Sequence, residues 1–595
     1  MNKETKQCQN CQNSFTVEPE DFAFYDKIQV PPPTFCPGCR MVRRMMWRNE
    51  RILYKRKCDL CGEDTIGIYH SENYHTIYCQ KCWWSDEWNP MSYGRDYDFT
   101  KPFFEQFKEL MMTVPRMAIH QDGTFVNSPY TNYGMEIKNC YLSYSTGYSE
   151  NVNYSNQTFY SNDSFDCLDD HELELCYECN GCRKNYKVDY SVASDNCTNS
   201  SFVINSRNCF DCFGCINKRN KKYFFLNEFL SENEYNQRID SIKGSYEKYV
   251  ELKKQFATLI LKNISPAAFN KNTQNSTGNF LENCNNICNG FSSKRCEDSR
   301  DIFITHDTKD SHGTCYLMKS NNCYDLIAGI GIANGKFSCY GRNSDFCRYC
   351  ELYFTSFHLF ACVGLRNKQY CILNKQYTKE QYEELAPKII KHMNEMPYID
   401  KKGRIYKYGE FFPPELSPFA YNETVAQEYF PLTKEQAINK GYQWKDPETK
   451  NYQITLKTEQ IPDHIKDVKD DMLNQVIQCK HYGIDSKQTL CNEQCSMAFK
   501  IIPRELEFYR KNNLPLPRLC PNCRHYQRIK QRNPLKLWHR QCMCAGTQSD
   551  NKVYRNTINH NHHNDNHCPN EFETTYAPER KEIVYCEKCY QEEVA

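Results

Sequence analysis

The residues with the most chemistry to offer are the cysteines, 37 of them in 595 residues. Near both ends they come in short-spaced pairs. Cys8 and Cys11 are followed by Cys36 and Cys39, and Cys491 and Cys495 by Cys520 and Cys523. Two close pairs separated by a loop can set four thiolates around one tetrahedral Zn2+ at about 2.3 Å each. Cys58, Cys61, Cys79 and Cys82 repeat the pattern. A fourth set is read from Cys542, Cys544, Cys586 and Cys589, but less regularly. The histidine-rich stretch NHNHHNDNHC leaves His567 and Cys568 competing for a place in it, and Cys479 and His481 are spare candidates beside the third set. The expectation is about four zinc ions, held by cysteine except where His567 takes a place in the fourth set. Clusters of buried reduced thiols, or a disulfide framework, are the alternatives.

The opening MNKETKQCQN has no apolar core, so a secretory leader is not expected. The longest apolar stretches, such as Phe256 to Leu261, fall far short of the roughly 18–20 residues that span a membrane. A cytoplasmic protein without a membrane partner is expected, and in a reducing compartment C-x-x-C pairs favour metal over disulfides. The abundance of Asn, Lys, Tyr and Phe fits a compositionally biased genome and points to no function.

The ends of the chain repeat each other. Cys11 to Cys58 aligns without a gap onto Cys495 to Cys542, at an offset of 484. Phe15 falls on Phe499, Pro19 on Pro503, Phe24-Tyr25 on Phe508-Tyr509 and Cys36 and Cys39 on Cys520 and Cys523. After each C-P-x-C, arginines recur at helical spacing: Arg40, Arg44 and Arg48, then Arg524, Arg528 and Arg532. Residues four apart share a helix face. Segment 36–58 holds eight Lys/Arg against one acid, Glu50, and 518–542 holds seven against none, in a chain of net charge +1. Guanidinium forks suit phosphate oxygens, so these six arginines are the expected nucleic-acid contacts, with Trp47, Tyr54, Tyr526 and Trp538 placed to stack on bases. Packing of the same arginines on acids of the chain is the competing expectation.

The pattern C-x-x-C, F-x-x-x-P-x-x-x-x-F-Y, P-x-x-C-P-x-C-R resembles the zinc-ribbon, treble-clef type domain of small bacterial proteins, over roughly 35–60 residues at each end. NLPLPRLCPNCRHYQRIKQRNPLKLWHRQC, GLRNKQYCILNKQYTKEQY and FFPPELSPFAYNETVAQEYFPLTKEQA further resemble a group of cysteine-rich proteins from reduced-genome bacteria. The resemblance implies zinc and a fold, but no activity. C-N-E-Q-C, with three intervening residues, departs from the pattern.

Between the ends, short β-prone runs with Asn, Ser and Asp turns suggest stacked rungs of a β-solenoid with cysteines inward. FGCINKRNKKYFFLNEFLSENEY (213–235) matches FACVGLRNKQYCILNKQYTKEQY (360–382) at an offset of 147, and each copy ends in a capping box, Ser231/Glu234 and Thr378/Gln381. Cys176, Cys179 and Cys182, like Cys209, Cys212 and Cys215, have metal-like spacing, but three residues also suits a turn that sets cysteines in neighbouring rungs. The second copy has Ser356 and Leu359 at two of those positions. Structural cysteines are therefore expected there.

The expected fold is mixed α+β, with terminal treble-clef modules flanking a duplicated, cysteine-rich β-solenoid with capping helices. Its parts are a double zinc module (1–95), two solenoid halves with capping helices (125–262 and 270–396), a Pro- and aromatic-rich connector wrapping the surface (397–478), and a second double zinc module (479–595). No Gly-rich phosphate loop and no repeated His–Asp constellation is present, and His70, His75, His525 and His539 do not align between copies. Enzymatic activity, redox or hydrolytic, is the least favoured reading. Nucleic-acid binding, RNA preferred, comes first, and a protein-interaction scaffold with structural zinc is the alternative.

Overall fold

The computed structural model describes residues 3–594 apart from 71, 73–74, 447–451, 483–493 and 565. They form a mixed α/β structure in two compact units, each joining separated stretches of chain. Met1–Gln121 folds with Asn270–Asp446, and Asp122–Phe269 with Pro447–Ala595. The N-terminal cysteine module thus belongs with the second half of the middle region, and the C-terminal module with the first.

A triplet rule builds the middle. In the second unit every third residue points inward and is buried: Cys140, Ser143, Thr146, Ser149, Val152 and Ser155, and later Cys209, Cys212 and Cys215. The residue before each is left-handed, as at Asn139 (φ 55°), Leu142 (48°), Ser145 (50°) and Asn151 (57°). That conformation costs an L-residue roughly 1–2 kcal/mol and is most readily visited by Gly, Asn and Asp, which accounts for much of the Asn and Asp in this region. Four triplets make one coil, because parallel pairing runs twelve residues apart: Asn132↔Tyr144, Tyr186↔Thr198, Phe210↔Lys222. The first unit repeats this from Gly278↔Gly290 to Phe357↔Gln369.

Where the inward residue is Ser, Thr or Cys, its side chain also satisfies the backbone. Ser155 Oγ donates to the Asn153 carbonyl at 3.0 Å and accepts from the Cys167 N–H at 3.0 Å. Cys176 Sγ donates to the carbonyls of Glu174 and Asn185, both at 3.4 Å. A thiol here is a small hydrophobe with a weak donor. Three-residue spacing therefore sets cysteines on successive sides of one coil, not in neighbouring rungs, which are twelve residues apart. Outside, Asn196 donates to Asn208 at 2.7 Å and Asn208 to Asn220 at 2.9 Å, a ladder up the coils.

Each stack ends alike. An antiparallel strand (Glu228–Phe229; Lys375–Gln376) closes it, and a capping box at Ser231 or Thr378 starts a helix, Glu232–Asp240 or Lys379–Glu395. In the second unit Tyr246–Lys262 follows and buries Tyr249, Leu252 and Phe256, with Tyr249 and Phe256 against the Phe202 ring. The connector does more than wrap the surface. Phe411 and Phe412 are fully buried, with Phe412 4.6 Å from the Trp47 ring and stacked on Phe107 at 5.0 Å.

Candidate metal centres

Among the described residues one local arrangement recurs four times. A short strand leads into a first cysteine: Glu4–Gln7 into Cys8, Tyr54–Lys57 into Cys58, Ile477–Gln478 into Cys479 and Trp538–Gln541 into Cys542. Each strand pairs antiparallel with another: Ser14–Val17, Asp64–Gly67, Ala498–Phe499 and Glu571–Thr574. A third cysteine then stands at a helix start: Cys36 before Pro37–Met45, Cys79 before Gln80–Trp84, Cys520 before Pro521–Lys530 and Cys586 before Glu587–Val594. Its backbone N–H donates to the first cysteine's sulfur at 3.2 Å in all four cases. Such donors, with the positive end of the helix, favour thiolate.

The sulfurs converge as Cys8, Cys11, Cys36 and Cys39; Cys58, Cys61, Cys79 and Cys82; Cys479, Cys495, Cys520 and Cys523; and Cys542, Cys568, Cys586 and Cys589, each set within 4.8 Å. A tetrahedron of thiolates at about 2.3 Å from its centre has edges of about 3.8 Å. Cys11–Cys36 is 3.7 Å, Cys479–Cys523 and Cys495–Cys520 are 3.9 Å, Cys542–Cys589 is 3.7 Å and Cys568–Cys586 is 3.8 Å. These spacings suit a shared cation. As bare thiols the groups compete for protons. Hydrogen bonds from Cys479, Cys495 and Cys523 hold Cys520 well below the usual thiol range, while Cys36 is pushed up by those it makes to Cys39 and Cys8. A divalent ion resolves the competition by taking all four as thiolates.

Two ligand sets differ from the sequence reading. Cys479 completes the third set; Cys491 lies outside the described residues. In the fourth set Cys568 stands where Cys544 was expected, and Cys544 lies instead beside His560 and His563. The signal for Cys479 was the strand just before it, Ile477–Gln478, and for Cys568 the strand that begins three residues after it, Glu571–Thr574, since the spacing between first and second cysteines differs between copies of the arrangement. His567 turns away, its Nε2 2.8 Å from Asp550.

The arginine expectation is corrected. Arg40, Arg44, Arg48, Arg524 and Arg528 are buried, and the Arg532 side chain is 9% exposed. In the first unit Asp325, at a left-handed position of a coil, meets Arg40 at 3.5 Å and Arg43 at 3.7 Å and bonds Arg44, while Arg48 pairs with Glu50 at 2.6 Å and covers the Tyr316 ring. In the second unit Asp166, also left-handed, meets Arg524 at 3.0 Å and Arg528 at 2.8 Å, and Asp169 meets Arg532 at 2.8 Å. The helix after each C-P-x-C is docked on the coils, so its arginines are not turned to solvent as phosphate ligands. The physical reason is desolvation. Once the helix packs, a guanidinium beneath it needs a carboxylate, and left-handed coil positions offer Asp. Trp47 is likewise buried.

Among the described residues no helix is long and apolar enough to cross a membrane. No family model matches the chain, and no curated protein does. Among solved structures, a proposed acetyltransferase of Desulfovibrio desulfuricans G20 is 9% identical over 48% of this chain and 86% of its own, with a TM-score of 0.09. A UDP-N-acetylglucosamine acyltransferase of Campylobacter jejuni is 10% identical over 47% and 98%, also with a TM-score of 0.09. Likenesses at that score carry no argument about fold or function.

Proposed function

We propose that this protein is a non-enzymatic scaffold that binds a protein partner, built from two β-solenoid stacks, each clamped by treble-clef modules that hold structural zinc. The observation that carries this reading is the docking of both arginine helices on coil aspartates, which leaves the cysteine modules a structural task. All-cysteine sets are the chemistry of closed, structural zinc, and borderline-soft Zn2+ suits four thiolates. Small domains rich in polar residues gain most from such an ion, because it replaces a core they cannot build. Inward cysteines that bond backbone carbonyls fit a reducing compartment such as the cytoplasm.

A protein partner is favoured by the rings that the coils leave outside. Tyr148 and Tyr160 are 46% and 56% exposed and stacked at 5.0 Å. In the other unit Phe346 is 42% exposed and stacks on His358 at 5.0 Å. Rigid exposed aromatics are the side chains that protein interfaces enrich. The test is affinity capture on purified full-length protein from its native host, with and without nuclease, beside titration of mixed oligonucleotides against salt. Partners that survive nuclease, and Tyr148→Ser with Tyr160→Ser weakening them, are expected. Oligonucleotide affinity falling steeply between low and moderate salt would return the nucleic-acid reading.

A further inference from the structure

The fourth cysteine set differs from the second by an insert. Cys58 and Cys61 are 3 positions apart and their counterparts Cys542 and Cys568 are 26 apart, so the loop is longer by 23 residues. The insert has little apolar material to bury, and its Val553 and Ile558 are 50% and 47% exposed. It nonetheless carries Cys544, His560 and His563 into the interior, at 0%, 0% and 7% exposure.

These side chains face one another. Cys544 Sγ lies 3.3 Å from His560 Nδ1, which lies 3.2 Å from His563 Nε2, which lies 3.3 Å from Cys589 Sγ. The remaining ring nitrogens are engaged on the far side: His560 Nε2 is 3.0 Å from Glu593 Oε1, and His563 Nδ1 is 2.8 Å from the Asn566 carbonyl. A neutral imidazole that donates one N–H to a carboxylate or carbonyl turns the lone pair of its other nitrogen the opposite way. This is how metal-ligating histidines are oriented. Two such lone pairs and two sulfurs converge on one buried point.

We propose that this point holds a second metal ion, Zn2+ by its mixed thiolate and imidazole donors, in a Cys544, His560, His563, Cys589 site. Cys589 also belongs to the four-thiol set with Cys542, Cys568 and Cys586. Its sulfur then bridges two ions, making this end of the chain a dinuclear centre. Two dications against five thiolates leave a net charge of −1, nearer neutrality than the −2 of one dication in four thiolates. Asn556 Nδ2 donates to Cys544 Sγ at 3.1 Å, as an outer group supporting a thiolate does. His562 is left out of the set, because its Nε2 faces two sulfurs of the four-thiol group, Cys568 at 3.6 Å and Cys589 at 3.4 Å. The ion pins the insert to the module, as metal replaces a core in small domains.

The inference rests on the four-thiol sets holding metal, and one experiment separates the two. Native mass spectrometry of the full-length protein, made with zinc and kept reduced, counts bound ions. Five per chain are expected, falling to four in His560→Asn with His563→Asn and remaining five in His562→Asn. Four in both wild type and the double variant, or five in both, overturns the second site and leaves the four-thiol sets standing. Fewer than four in wild type counts against those sets themselves. Exchange into 113Cd gives an independent readout. Two resonances coupled to each other through Cys589 are expected, and absence of that coupling overturns the bridge.

Discussion

Replacing Asp166 by Asn tests what the arginines do. The Asp166 and Arg528 side chains are fully buried, and that of Arg524 is 3% exposed. Asn keeps the size and accepts the left-handed backbone at φ 57°, so the change removes the charge and turns one acceptor oxygen into an NH2 donor facing a guanidinium. Arg524 keeps Glu505 at 3.1 Å and Arg528 keeps Glu178 at 3.6 Å, and burial already pushes the Glu505 carboxyl up. Removing one partner of a buried ion pair costs about 3–5 kcal/mol. The surviving acids set the expectation near the lower end, about 3 kcal/mol, which is roughly a hundredfold in an opening equilibrium. Hydrogen exchange followed by peptide mass analysis reads this locally. Protection falls by about that factor in Pro521–Lys530 and in the coil around Asp166, while Pro37–Met45 is unchanged. The Asp169 and Arg532 side chains are 8% and 9% exposed, so Asp169→Asn also removes one partner of a buried pair and costs about 3 kcal/mol. If Asp166→Asn shifts stability by less than about 1 kcal/mol and leaves the helix equally protected, the arginines do not dock the helix and the reasoning fails.

Burial pushes the Asp170 carboxyl up to about 7, against backbone donors Cys182 N–H at 2.6 Å and Leu168 N–H at 2.8 Å. Between about pH 4 and 7 the folded state holds a proton that the unfolded state has released, so stability falls as pH rises through that window and levels off above it, by roughly 4 kcal/mol at most. Asp170→Ser, the column's common residue, flattens the slope when denaturation midpoints at pH 5 and 8 are compared. Cys182→Ser changes stability by less than about 1 kcal/mol and leaves the metal count unchanged, whereas Cys182→Leu costs about 1–3 kcal/mol by overpacking. A side chain at Gly341 would enter the Tyr353 ring one coil on. Gly341→Ala therefore lowers the thermal midpoint, by about 1–3 kcal/mol in stability.

The cysteine chemistry was largely legible and its geometry only partly. Spacing pointed to Cys8, Cys11, Cys36 and Cys39 as one group, because a knuckle and a helix start suffice to gather them. It did not select Cys479, since the chain between the first and second cysteines is free to lengthen once a hairpin holds its ends. Cys568 was obscured for the same reason, 26 residues from Cys542. In the middle, the strand-and-cap ending at Ser231 and Thr378 was readable from local capping chemistry. The triplet was harder to see. Its inward position accepts Ser, Thr, Cys, Val, Leu, Ile or Gly, and also Asp170, Asn185 and Tyr353, so no single residue type marks it, and its left-handed position tolerates Tyr148 and Leu142 as well as Asn. The fate of the arginines was legible only as two competing readings, because charge at helical spacing reads the same whether the face meets water or a coil aspartate in a distant part of the chain.

The most direct measurement is chelation of the reduced, full-length protein with hydrogen exchange followed before and after. If metal-held thiolates fasten each docked helix, removing the ions abolishes protection in the strands and turns around Cys8, Cys58, Cys479 and Cys542, and then in Pro37–Met45 and Pro521–Lys530, while the coils around Cys179 and Cys350 stay closed. A protein that yields no metal to the chelator, or exchanges identically without it, contradicts the account.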